Sequence, residues 1–205
     1  MSKRLKLIMP MAGNGSRFAN VGITTPKPLI DIDGVPMFVF AERQLDLDFD
    51  ERIFIVRKEH NIRDTVLEYY PDAHIIEVDS VTEGAACTLL LAREHMTADS
   101  AIFVSNCDQS VEWNNWTFKQ TIVQHEIDAM VAVFHCPDRD PKWSYAHKDI
   151  ENRVFRVAEK DPISDWATVG WYYWASGTKL IAAAEAMIAA NDRVNNEFYV
   201  CPILN

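Results

Sequence analysis

Arg17 and Lys27 bring two fixed positive charges into one short stretch whose backbone is shaped by glycine. The apolar run Leu5, Leu7, Ile8, Met9 reads as a buried strand, and Ala12-Gly13-Asn14-Gly15-Ser16-Arg17-Phe18 follows it. Glycines at such a turn let backbone approach a ligand closely, with amide groups pointing into a concavity. Arg17 adds a planar fork that matches phosphate oxygens. Lys27, within Pro26-Lys27-Pro28-Leu29, can bring its charge to the same place. Strand, glycine turn, arginine and lysine, in that order, are expected of a triphosphate cradle, while the glycine pair alone also reads as a plain strand-to-helix turn. A dinucleotide fingerprint would need glycine where Phe18 stands, and a Walker A loop would need a Gly-Lys-Ser/Thr that the stretch lacks.

Further along, Ser105-Asn106-Cys107-Asp108 follows the apolar run Ala101 to Val104. An aspartate at the carboxyl edge of a parallel sheet, facing a phosphate loop, is placed to hold Mg²⁺. That ion takes oxygen ligands, typically one or two carboxylates with the substrate's own phosphates. The plainer reading of the same residues is a turn-forming Asn/Asp pair. Thr82-Glu83-Gly84-Ala85 opens a helix, and its plainer reading is a helix start. Glu159-Lys160 follows an alternating run, where a lone lysine is ordinarily just solvated. The aromatics Trp166, Trp171, Tyr172, Tyr173 and Trp174 are read mainly as core.

The elements that must position these groups alternate in the first half. Strands are expected at Arg52–Arg57, His74–Val78 and Ala101–Val104, with helices at Met37–Leu47, Asn61–Tyr70 and Ala85–His95. Asp33-Gly34 marks a tight turn. The second half carries strands at Ile127–Phe134, Arg153–Val157 and Ala167–Ala175. It also carries a polar loop at Asp138–Asp149 and a helix at Thr178–Ala190 capped by Ser176. The expected fold class is α/β: a Rossmann-like, mostly parallel, mixed sheet flanked by helices. One domain is expected over residues 1–205, residues 1–110 binding nucleotide and residues 111–205 forming the acceptor side of a shared cleft.

Composition narrows the function classes. The 205 residues carry a formal charge of −10, with 48% hydrophobic and 24% charged residues. Such a chain is a poor nucleic-acid binder and must gather its cations locally to hold a polyanion. Four scattered cysteines, with no C-x-x-C pair, read as free thiols in a reducing compartment. Lys6 and Pro10 break the first apolar run, which argues against a signal peptide, and no stretch approaches a membrane span. The expected location is the cytoplasm, and the composition leaves a homo-oligomer open.

The motif Ala12 to Phe18 followed by Pro26-Lys27-Pro28-Leu29 resembles the sugar-phosphate nucleotidyltransferases, which make nucleotide sugars and share a GT-A-like architecture. Their pattern is A-G-x-G-S/T-R-F/L, then P-K-P-L. The resemblance implies an enzyme joining an NTP to a sugar 1-phosphate, with release of pyrophosphate. It implies nucleotide binding by Ala12, Gly13, Asn14, Gly15, Ser16, Arg17, Lys27, Gly84, Ala85 and Asn106, and Mg²⁺ on Asp108. Tyr145, Glu159, Lys160, Gly170 and Glu197 would meet the acceptor, and Arg17, Lys27, Asp108 and Lys160 would carry catalysis. Many members read the base with a glutamine three residues before the Gly84 position; Val81 stands there. The family's E-K-P is interrupted by Asp161. A further strand and closing helix, often with a second metal-binding carboxylate, would be expected beyond Asn205, and nothing here matches that segment. Three rivals stay open. A glycosyltransferase would use Asn106-x-Asp108 as its D-x-D, a cytidylyltransferase would act on another phosphorylated small molecule such as an amino alcohol, and a third reading is a non-catalytic nucleotide-binding module.

Overall fold

A computed structural model describes residues 3–124 and 126–205. Its elements run β1 (Arg4–Pro10), α1 (Ser16–Ala19), β2 (Asp31–Ile32), β3 (Val35–Pro36), α2 (Met37–Arg43), β4 (Glu51–Arg57), α3 (Arg63–Tyr69), β5 (His74–Val78), α4 (Ala85–Leu90) and β6 (Ser100–Ser105). They continue with α5 (Asn115–Gln124), β7 (Ala129–His135), β8 (Tyr145–Lys148), β9 (Val154–Ala158), β10 (Trp166–Trp174) and α6 (Gly177–Ala189). Strands β5, β4, β1 and β6 lie side by side and parallel. Strand β10 runs antiparallel to β6 and also pairs with β7 and β8, and β9 closes the far edge on β8. The parallel half matches the strand-helix alternation of the first hundred residues, and the antiparallel half matches its absence afterwards.

The sheet is covered on both faces, and the two-residue period of its strands sorts the core into two layers. Ile8, Ile53, Ile55, Ile102 and Val104 point to one face, under α4 and α6. Leu7, Met9, Phe54, Val56 and Phe103 point to the other, under α2, α3 and α5. Strands wet on neither face read as continuous apolar runs, which is what β1, β4 and β6 show. Trp171, Tyr172, Tyr173 and Trp174 are buried. Asp33 and Gly34 both have positive φ, 51° and 85°, and form the expected hairpin turn between β2 and β3.

Three local expectations need correction, and one helix was not anticipated. The helix from Ala85 ends at Leu90, and Arg93–His95 tightens into a 3₁₀ turn. This turn brings the backbone of Met96 against Gly177 so closely that a Cβ there would lie 2.5 Å from it. The expected loop Asp138–Asp149 contains β8, whose Tyr145 and Ala146 are fully buried. Helix α5 lacked a strong apolar period, and its start is set by the Asn114 side chain, which accepts from the amides of Trp116 (3.0 Å) and Thr117 (3.3 Å). Ser176 sits at the start of α6, yet its hydroxyl engages that of Thr178 (3.0 Å) instead of a helix amide.

Candidate active site

The site lies where β6 and β8 part company along β10. Gly170 makes the parting possible. Its φ is +88°, the register of β10 shifts between Thr168 and Tyr172, and the Asn106 amide donates to the Gly170 carbonyl (3.2 Å). A Cβ at Gly170 would lie 2.3 Å from Asn106 Nδ2. This bulge opens a cleft of about 640 Å³ beyond the carboxyl ends of β1 and β6, the edge where open α/β sheets bind ligands. Ala12 to Arg17, Lys27, Gly84, Ala85, Asn106, Asp108, Glu159, Lys160, Gly170 and Glu197 all line it. The three cations at 17, 27 and 160 and the aspartate at 108 therefore face one hollow.

The glycine turn is built to receive an anion. Gly15 is left-handed (φ +60°), and its carbonyl accepts from Phe18 (2.9 Å) and Ala19 (3.3 Å). Among the described residues, none of the amides from Gly13 to Arg17 donates to a protein acceptor, and Arg17 has no carboxylate partner. A Cβ built on Gly13 meets nothing within 4 Å, and its φ is not positive. The free protein thus has no use for glycine at 13, whereas a phosphate lying against the turn does. Gly13→Ala is expected to leave the melting temperature unchanged or slightly raised and to weaken NTP binding. Calorimetric titration beside thermal melting checks this, and undiminished affinity would put the phosphates elsewhere.

Lys27 Nζ lies 2.5 Å from Asp108 Oδ2. Burial works against the charge on Lys27, while Cys107 and Asp108 act to raise its pKa, and Arg17 opposes them. The net result is an ammonium held above the ordinary lysine range. Burial pushes the Cys107 thiol up to about 11, so it is uncharged at neutral pH and the Asp108 carboxylate does the holding. That value also removes Cys107 as a nucleophile.

The other wall of the cleft is built by β9, β10 and the segment after α6. Ser144 donates a very short hydrogen bond to Glu159, and Lys160 donates another to the Tyr199 hydroxyl. The Lys160 ammonium also sits 4.3 Å from the centroid of the Tyr199 ring. Burial raises the pKa of Glu159; the Ser144 bond and Lys160 oppose it and Glu197 adds to it. A carboxyl whose folded pKa is raised contributes stability that is full below its unfolded pKa and lost as pH rises through the folded one. Glu159→Gln is therefore expected to be more stable than the native protein at pH 7 and to have no advantage at pH 4. Urea midpoints at the two values test this. Tyr145 does not join this group. Strand alternation turns it away from the cleft lined by Ser144, and its hydroxyl donates to the Asp140 carbonyl (2.8 Å) in a small buried cluster with Cys136 and Ala167.

The two sides are joined at Gly84. Its φ is +138°, and a Cβ would lie 2.4 Å from the Phe198 carbonyl oxygen. Phe198 donates to the Glu83 carbonyl (2.8 Å) and accepts from Ala86 (3.0 Å). Glu197 is carried on this segment, in a tight turn whose Asn195 and Asn196 both have positive φ.

Three site features went unread in the sequence. Arg57, at the carboxyl end of β4, donates to the Asn14 side chain (2.7 Å) and ties the glycine turn to the sheet. Its place at the ligand edge was the available signal. Lys142 and Trp143 line the cleft, with the ammonium 5.2 Å from the indole centroid, but they lie in what read as a polar loop. Thr88 backs the start of α4, its hydroxyl lying 2.6 Å from that of Thr82 and 3.2 Å from the Gly84 carbonyl oxygen.

A glycine turn with free amides, two cations and a carboxylate line one cleft with a second lysine, an arrangement suited to nucleotidyl transfer. The chain belongs to the nucleotidyl transferase family, whose pattern it matches over residues 6–199. Its fold resembles that of the nucleoside-diphosphate-sugar pyrophosphorylase from Vibrio cholerae RC9, at 26% identity and TM-score 0.78 over 97% of this chain and 86% of that one. The inositol-1-phosphate CTP transferase from T. maritima superposes with TM-score 0.78 at 17% identity, covering 100% and 80% of the two chains. A Bacillus anthracis protein assigned as a glucose-1-phosphate thymidylyltransferase, solved with sucrose, gives 0.71 at 20% identity over 88% and 75%. Among the described residues, no helix is long and apolar enough to cross a membrane.

Proposed function

We propose that this nucleotidyltransferase moves a nucleoside monophosphate group from an NTP to a sugar 1-phosphate, giving a nucleotide sugar and pyrophosphate. The observation that carries the reading is the opposition of charges across one cleft, with Arg17 and Lys27 beside the free amides of the glycine turn and Lys160 on the acceptor side. The acceptor phosphate, with a second pKa of about 6, is already largely dianionic near neutral pH and needs no general base. One of its oxygens attacks the α-phosphorus in line, and the bond from that phosphorus to the bridging oxygen breaks, releasing pyrophosphate. The turn amides and Arg17 hold the departing pyrophosphate, Lys27 turns from Asp108 to the α-phosphate, and Lys160 steers the attacking phosphate. Glu159 and Glu197 accept from acceptor hydroxyls. Asp108 is an oxygen donor of the hard type that suits Mg²⁺, and it lines the cleft with the glycine turn. When bound, the ion neutralises phosphate charge.

Val81 lines the cleft at the start of α4, where it is 42% exposed and offers no hydrogen bond to a base. Base choice then rests on backbone groups or another side chain, and a cytidylyltransferase acting on another phosphorylated alcohol is the second reading, in keeping with the likeness to the inositol-1-phosphate CTP transferase. A pyrophosphate-release assay crossing the four NTPs with several sugar 1-phosphates, inositol 1-phosphate and phosphorylated amino alcohols decides between them. Turnover with a sugar 1-phosphate is expected to exceed the others. Release of a nucleoside diphosphate from a nucleotide sugar, with no pyrophosphate from any NTP, would overturn both readings.

A further inference from the structure

At the opposite edge of the sheet, three side chains with no role in the cleft converge. Glu51 opens β4, His74 opens β5, and His95 ends the 3₁₀ turn after α4. Strand alternation sends Glu51 and His74 to the face that α4 covers, the face of Ile53 and Ile76, and His95 descends onto that face from above. His95 Nδ1 is 3.6 Å and His74 Nε2 4.0 Å from the same oxygen, Glu51 Oε2. Both distances are too long for hydrogen bonds, so the donor atoms face one another across a gap without bonding. All three lie within 4.8 Å of one another, and the imidazole centroids are 4.6 Å apart. The other carboxylate oxygen, Glu51 Oε1, is held by the buried Lys6 at 3.1 Å.

We infer that Glu51, His74 and His95 form a binding site for a divalent transition-metal cation, separate from the nucleotide cleft. Metal bonds of about 2.1 Å in tetrahedral array set ligand atoms about 3.4 Å apart. His95 is already near that separation. His74 must close by about half an ångström, a small rotation for a side chain that is half exposed. Two imidazoles with one carboxylate suit Zn²⁺, Co²⁺, Ni²⁺ or Cu²⁺ and not the oxygen-seeking Mg²⁺. Lys6 fills the outer-shell role, holding the second carboxylate oxygen and so aiming the first. The residues come from three separate segments, so a bound ion staples the start of β4, the start of β5 and the approach to β6. Lys6 precedes the glycine turn by most of the length of β1, which puts this site about 15 Å or more from the phosphates.

The test uses the full chain, stripped with a chelator and titrated with Co²⁺ under visible absorption, then with Zn²⁺ in competition. One equivalent is expected to bind and to raise the melting temperature by about 5–10 °C at a hundredfold excess over the Kd. His74→Ala and His95→Ala are each expected to weaken binding about 100-fold or more, beyond the roughly 10–100-fold typical of losing an outer-shell partner. Both change partly exposed side chains, so the variants fold, and pyrophosphate release with Mg²⁺ stays at the native rate in each. No binding below about 1 mM, or binding that survives both substitutions, would overturn the assignment.

Discussion

Lys27→Ala lowers turnover by about 10²-fold or more while the protein stays folded, and Arg17→Ala does the same. The size follows from where the charges stand. Charge accumulates on the α-phosphate and the bridging oxygen only as the reaction proceeds, and a cation fixed there is worth more at that moment than in the ground state. Lys27 keeps its proton because Asp108 lies 2.5 Å away, so an ammonium is in place before substrate arrives. The pair's side chains are only 26% and 29% exposed, so losing one partner also lowers stability. Single-turnover kinetics beside thermal melts separate the two effects. Native turnover in either variant would remove that residue from the chemistry.

Asp108→Asn is the second large effect, a fall in turnover on the order of 10²–10³-fold. The amide keeps the shape and loses the charge, so the variant cannot hold Mg²⁺ as a carboxylate does. It also leaves Lys27 without the neighbour that raises its pKa, which returns toward the ordinary range. Titrating turnover against Mg²⁺ discriminates. The native enzyme should saturate at far lower concentration than the variant, and identical curves would mean that Asp108 serves only to hold Lys27.

The parts of this structure legible in the sequence are those with strict local rules. Gly13 to Arg17 after an apolar run, Asp33-Gly34, and the continuous apolar runs of β1, β4 and β6 all follow from backbone sterics and strand geometry. Arg17, Lys27, Asp108 and Lys160 were expected in one cleft, and all four line it. What escaped depends on partners distant in the chain. Arg57 matters because it reaches Asn14, Tyr145 is lost to the cleft because Asp140 and Cys136 bury it, and β8 exists because β9 and β10 give it edges to pair with. Helix α5 was obscured by tryptophan and valine on its wet side, Trp116 and Val123 being among the most exposed apolar residues.

Phe198 holds the start of α4 by two main-chain hydrogen bonds, to Glu83 and Ala86, on either side of Gly84, where a Cβ would strike the Phe198 backbone. The stretch entering α4 and the one carrying Glu197 are therefore stitched together through the main chain, so a substitution that shifts either is expected to displace the other as well.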